Sequence, residues 1–292
     1  MNKPLPLLLA VGLALGCNFP LGKLAVAAGV NPALWAALIS GGAGLIVLAV
    51  SHLLERQQTE APMARFAVIS GLVSYVAPNF LTFAVIPKIG AGLAAIMFAL
   101  SPVVTALLSM VFRVRPPNPL GFIGIALGLA GAVLIIIARN ASLTGGDGRW
   151  ILLAALIPLF LGAGNVYRTM AWPKGAAPMR LAALTNLAAV LPLLLIAAVM
   201  GGLDLSALMK IPGLVAAQLL VSTLMFMMFF RLQQVGGPTY LSQIGYVAAA
   251  VGVGFGVALM GETYPLAVWL GVAIVAAGVA LSTLAQLRGA KA

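Results

Sequence analysis

Few side chains in this 292-residue chain could do chemistry, and those few stand singly in long apolar runs. Asn18 and Lys23 flank Pro20 in the first run. Tyr75, Asn79 and Thr82 recur at i, i+4 and i+7 in the third, a spacing that puts three hydrogen-bonding groups on one helical face. Pro78 beside them removes a backbone donor. Asn165 sits in the sixth run. Tyr240, Gln243 and Tyr246 recur at i, i+3 and i+6 in the ninth, with Gly245 making room. Amides, phenols and an amine so placed can hydrogen-bond or ion-pair with something held between helices. They do not suit bond-breaking, because no nucleophile–base pair and no phosphate-binding glycine loop accompanies them. One cysteine, Cys17, and one histidine, His52, leave no intramolecular disulfide and no metal site to build. No enzyme, metal or cofactor is expected.

The elements that must position these residues are membrane helices. Hydrophobic residues make up 63% of the chain and charged ones 7%, and a hydrocarbon core of roughly 30 Å needs about 20 mostly apolar helical residues. At that length the sequence divides into ten spans, near 5–28, 32–54, 65–86, 90–112, 119–138, 150–171, 178–201, 208–232, 237–260 and 265–287. They are too long and too uniformly apolar for barrel strands. The fold class expected is therefore an all-α membrane protein with ten transmembrane helices. The 33 glycines and 18 prolines fit membrane helices, where small residues let backbones approach. Leu15-Gly16-Cys17 resembles the end of a lipoprotein signal. The apolar run nevertheless continues to about Ala28 and Ala14 stands where that signal has leucine, so no cleavage is expected.

The net charge of +11 reads as orientation rather than nucleic-acid binding. With the spans alternating, ten basic residues fall on the N-terminal side, against four (Lys88, Arg139, Arg149, Lys210) on the other. In a chain of short loops that places both termini in the cytoplasm. A shift of 146 or 147 residues superposes landmarks: Asn18 on Asn165, Asn31-Pro32 on Ala177-Pro178, Gly90 on Gly236, Pro119-Leu120 on Pro265-Leu266, and Gly124 and Gly131 on Gly271 and Gly278. The chain thus reads as two five-helix repeats, 1–145 and 146–292. Five is odd, so the second repeat is inverted, an arrangement that suits alternating access.

The polar residues carry competing readings. Lys23 either meets a ligand carboxylate or snorkels to the outer interface. Asn18 lines a cavity or bonds a neighbouring helix. Tyr75, Asn79 and Thr82 form a cavity stripe or a helix–helix seam. Gln243 and Tyr246 suit a ligand with a flat apolar part and a polar head. Asn165 is the repeat mate of Asn18. Arg168 and Trp172, near the cytoplasmic end of the sixth span, read as interfacial anchors. Met225, Met227 and Met228 with Phe226, Phe229 and Phe230 read as packing or lipid-facing. No Asp or Glu falls at mid-membrane depth, which argues against a carboxylate proton relay.

Several stretches carry a family resemblance. Gly16-Cys17-Asn18-Phe19 resembles the W-G-x-N-F stretch of the drug/metabolite transporter superfamily, EamA type, with Leu15 for the Trp. Ser101-Pro102-Val103-Val104-Thr105-Ala106-Leu107-Leu108 resembles its S-P-V-x-T-A-L-L, and Gly261-Glu262 its G-E element. Arg115-Pro116 stands where the first half would repeat Gly-Glu. Within the superfamily the chain is similar to the YddG-type aromatic amino-acid exporters. The resemblance implies a secondary exporter of small organic solutes, aromatic or bulky neutral amino acids, working by alternating access in a bacterial-type inner membrane. A nucleotide-sugar or sugar-phosphate exchanger of the same architecture is the alternative. Substrate binding is expected at Asn18, Lys23, Tyr75, Asn79, Asn165, Gln243 and Tyr246. The partners expected are a small-molecule solute and the lipid bilayer, with no nucleic acid, and the protein is expected to act as a monomer.

Overall fold

A computed structural model describes residues 4–55, 58–114, 119–140, 148–242 and 244–289, and no strand occurs among them. The elements are α1 (Pro4–Ala27), α2 (Pro32–Leu54), α3 (Ala61–Gly71), a π turn (Leu72–Val76), α4 (Ala77–Ile89), α5 (Ala91–Ala99), α6 (Ser101–Val111), α7 (Pro119–Asn140), α8 (Gly148–Ala154), α9 (Leu156–Met170), α10 (Pro178–Val199), α11 (Ser206–Met209), α12 (Pro212–Ser242), α13 (Ile244–Met260) and α14 (Leu266–Gly289). Proline opens many of them, where its missing N–H would have had no partner anyway. Asn31 caps α2, its Oδ1 accepting from Ala33 N at 2.9 Å and Leu34 N at 3.3 Å.

Among the described residues seven helical stretches are long and apolar enough to cross a membrane, and shorter apolar helices occupy Pro119–Gly131 and Leu266–Gly278. Two details depart from expectation. The third span is one rod over Ala61–Ile89 with a π turn at its middle. Pro78 has no N–H to close the ladder just beyond that turn, and a locally widened helix absorbs the gap. The break expected near 233–236 is absent: α12 runs through Gly236-Gly237-Pro238 to Ser242. In membrane helices local adjustment and neighbouring groups compensate such residues.

The helices pack across the chain's midpoint. α2 lies on α10, α7 on α14, α1 on α12 and α13, and α5 on α13, while α6 lies on α9. Glycines set the closest approaches. A Cβ on Gly131 would sit 2.7 Å from Gly271 O, and one on Gly278 would sit 2.6 Å from Gly124 O. The partner number falls as the residue number rises, so α7 and α14 run antiparallel. Large apolar side chains such as Leu45, Leu53, Leu195 and Leu266 point outward, the pattern of a surface solvated by lipid.

Candidate functional site

α1, the Ala61–Ile89 rod, α9 and α12 surround a cavity with an open volume of about 80 Å³. Most of its wall is apolar, from Phe19, Phe83, Phe98, Met225, Phe226 and Phe229. The polar wall comprises Asn18, Ser74, Tyr75, Asn79, Thr82, Ser101, Asn165, Arg168, Ser222 and Ser242, of which Arg168 alone is charged.

Four predicted residues meet there: Asn18, Tyr75, Asn79 and Asn165. The π turn brings Ser74 and Tyr75 to the same wall, with Asn79 and Thr82 following on α4. Thr82 Oγ1 donates to Pro78 O at 2.6 Å, while the Tyr75 hydroxyl, with the Asn186 side chain alongside, makes no hydrogen bond. Asn18 both lines the cavity and bonds another helix. Its Oδ1 accepts from Gln218 Nε2 and from Ser222 Oγ at 3.1 Å, and its Nδ2 donates to Ala14 O at 3.3 Å. Asn165 Nδ2 donates to Thr105 Oγ1 at 3.1 Å.

Arg168 corrects the anchoring expectation. It is only 1% exposed. Its Nη2 donates to Asn165 Oδ1 at 2.6 Å and its Nε to Gln233 Oε1 at 3.0 Å, and the guanidinium carbon lies 5.2 Å from the Phe229 ring centre. Position along a helix misled here. A residue near the end of a span reaches water only when no neighbouring helix covers it, and α12 covers this one with Phe229 and Gln233. Trp172 is half-buried and packs against Phe66 and Phe230. Met225, Phe226 and Phe229 pack in or against the core as expected, and they also line the cavity. An i, i+4 pair in α12, Gln218 and Ser222, was the overlooked signal that this helix has a polar inner face.

Lys23 and Tyr246 are not part of the cavity wall. Lys23 forms an ion pair with Glu262. Glu262 also receives Ala91 N at 2.9 Å, Gly92 N at 3.1 Å and the Tyr264 hydroxyl. It therefore caps the N-terminus of α5, where the helix dipole favours an anion. Burial pushes its carboxyl up, but the hydrogen bonds from Lys23, Tyr264, Ala91 and Gly92 outweigh this and hold it below the ordinary value of 4.5. Gly90, at φ +83°, and Gly256 leave the space: a Cβ on either would come within 3.0 Å of the Glu262 carboxylate. At the opposite end of the molecule Glu55 caps α10 likewise, accepting from Met179 N at 3.1 Å and Arg180 N at 2.9 Å. Tyr246 packs against the core, its hydroxyl buried without a hydrogen bond. Gln243, Arg115 and Pro116 lie outside the described residues.

Among the described residues the cavity wall carries amides and one cation between apolar helices, which suits it to holding a solute. Comparison with known proteins points the same way. Residues 2–137 match the EamA-like transporter family. That EamA-like stretch contributes Asn18, Ser74, Tyr75 and Asn79 to the cavity. Over 229 residues the chain is 29% identical to YedA, an uncharacterized inner membrane transporter of Escherichia coli K12, covering 77% of this chain and 72% of YedA. YedA of strain O157:H7 gives the same figures. A solved crystal structure of a protein has the same fold, with a TM-score of 0.63 at 18% identity, covering 94% of this chain and 97% of that one. The likenesses to the EamA-like family and YedA point to a membrane transporter rather than an enzyme.

Proposed function

We propose that the protein is a secondary exporter of aromatic or other bulky neutral amino acids in a bacterial-type inner membrane, with both termini cytoplasmic, working as a monomer. It moves solute by alternating access between two inverted five-helix halves, 1–145 and 146–292. The observation that carries the reading is the cavity itself. It draws polar residues from both halves, Asn18, Tyr75 and Asn79 from the first and Asn165 and Arg168 from the second, around an aromatic wall.

The helix pairings support the two-half reading. Exchanging each span for the one five later carries the packing pattern onto itself: α2 on α10 and α7 on α14 map to themselves, and α1 on α13 maps to α9 on α6. At the end that the basic-residue bias puts outside, Lys23 and Glu262 tie α1 and α5 to the link before α14, and opening there must break that ion pair. A lone cation on the wall suits a solute with one negative charge better than a nucleotide sugar or sugar phosphate.

The test is efflux from reconstituted liposomes. Phenylalanine and tryptophan are expected to leave down their gradients, and to go on leaving after the proton gradient is collapsed, since among the described residues no Asp or Glu lines the cavity. Movement of nucleotide sugars alone, or of no solute, would overturn the assignment.

A further inference from the structure

We propose that the cavity selects its solute through a carboxylate seated on Arg168, Ser74 and Tyr75, and that an α-amino group is dispensable. The inference rests on reading the cavity as the solute path and deepens it.

Three hydrogen-bond donors without acceptors stand on one wall. Arg168 Nη1, Ser74 Oγ and the Tyr75 hydroxyl are all buried and lack a hydrogen-bond partner, and all three residues line the cavity. The placement of Ser74 and Arg168 is set by Gly164, where α9 meets the π turn. A Cβ on Gly164 would overlap Ser74 Oγ and lie 3.3 Å from Arg168 Nη1, so both donors reach within 3.3 Å of one point. The remaining guanidinium contacts fix its direction: Asn165 holds Nη2, Gln233 holds Nε, and Phe229 lies against it. That leaves Nη1 as the guanidinium nitrogen with no acceptor of its own.

The charge balance points to an anion. Arginine stays protonated in proteins, and a buried cation without a counter-charge is costly. The chain has five acidic residues, and none of the described ones lines the cavity. Glu55 and Glu262 are engaged at opposite ends on backbone N–H groups, and Asp204 on Ser206. A ligand carboxylate, with two oxygens and about four lone-pair directions, is the group that unanswered donors on one wall fit. An ammonium group would meet neutral acceptors only: among the described residues no carboxylate lines the wall, and Asn18 Oδ1 already accepts twice, from Gln218 and Ser222. The rest of the cavity is ring and thioether surface from Phe226, Phe229 and Met225, which asks only for an apolar body. The class that fits is the apolar monocarboxylates, of which the aromatic amino acids are a subset.

The test uses the intact wild-type protein in detergent. Its melting temperature is followed with phenylalanine, with 3-phenylpropionate, which lacks the amino group, and with phenylalaninamide, which lacks the carboxylate. Both acids are expected to stabilise at concentrations at least tenfold below that at which the amide does. An amide that stabilises as well as the acids, a 3-phenylpropionate that fails where phenylalanine succeeds, or no stabilisation by either acid would overturn the proposal. Efflux of phenylalanine from liposomes is measured alongside. If it persists while the ligand ranking fails, the exporter reading stands and the carboxylate seat does not; if it is absent too, the exporter reading has failed. Arg168→Gln is expected to bring the acid-to-amide ratio close to one, and Arg168→Lys to restore part of it. Because the wild-type ranking needs no substitution, a variant that fails to fold leaves the test intact.

Discussion

Asn18 in α1 and Asn165 in α9 stand 147 residues apart on the wall of one cavity, each buried, each in a polar knot. The knots differ in kind. Around Asn18 every partner is neutral: Gln218, Ser222, the Ala14 carbonyl and, at 3.7 Å, the Met225 sulfur. Around Asn165 the partners are Thr105 and a guanidinium. The divergence comes down to the residue three places on, Leu21 after Asn18 and Arg168 after Asn165. The first knot ties two helices together. The second does that and also turns an unanswered charge toward the cavity. A site can thus be made selective by one residue on an otherwise matched pair of walls.

The comparison breaks outright if α9 is given the leucine of α1. Arg168→Leu is expected to remove the preference for acids over amides, a 10- to 100-fold change in half-saturating concentration, following from about 1.5–3 kcal/mol for a hydrogen bond to a charged group. Competition against labelled phenylalanine uptake in liposomes reads it, and an unchanged preference would place the recognition elsewhere. Next come the asparagines. Asn165→Leu leaves Arg168 Nη2 without its acceptor and is expected to lower the acid-to-amide ratio several-fold, as a loss of about 1 kcal/mol implies. Asn18→Leu is expected to lower the melting temperature while leaving that ratio in place, and the reverse result would exchange the roles of the two knots. Gly164→Ala sharpens the point from the side of shape. The added methyl must push Ser74 away from Arg168, so acid affinity is expected to fall a few-fold with the charge retained.

The smallest effect lies outside both knots and serves as a control. Glu262 is held below its ordinary value, so its contribution to stability is present above about pH 4.5 and fades as pH drops through the lowered value. Wild type is expected to melt about a few degrees above Glu262→Gln at pH 7, with the gap persisting at pH 5 and closing only in stronger acid. A gap that closes by pH 6 would mean that another group is titrating.

How much of this was legible beforehand depended on the dimension of the signal. Helices of spanning length follow from apolar run length, and Tyr75, Asn79 and Thr82 share a cavity wall as their spacing implies. Asn18 and Asn165 were found because an amide amid apolar sequence has few places to go. What failed needed three dimensions. Arg168 was judged by its distance along the chain from a span end, and only the packing of α12 shows that it is covered. Lys23 and Glu262 are 239 positions apart, and no local pattern pairs them. In α12, apolar on nearly all sides, sequence could not tell the cavity face with Met225, Phe226 and Phe229 from the lipid face. The π turn likewise has no spacing signature beyond the nearby proline.

The glycine contact between α7 and α14 has a consequence for the origin of such a chain. Gly131 meets Gly271 and Gly278 meets Gly124, and each of these pairs becomes the other when both members are moved by 147 residues. An interface with that property is self-complementary: two copies of one half, lying in the membrane in opposite senses, would meet through the same two glycines. A five-helix ancestor able to insert either way round would have found its partner in itself, and joining two genes end to end would have fixed a pairing already made in the bilayer.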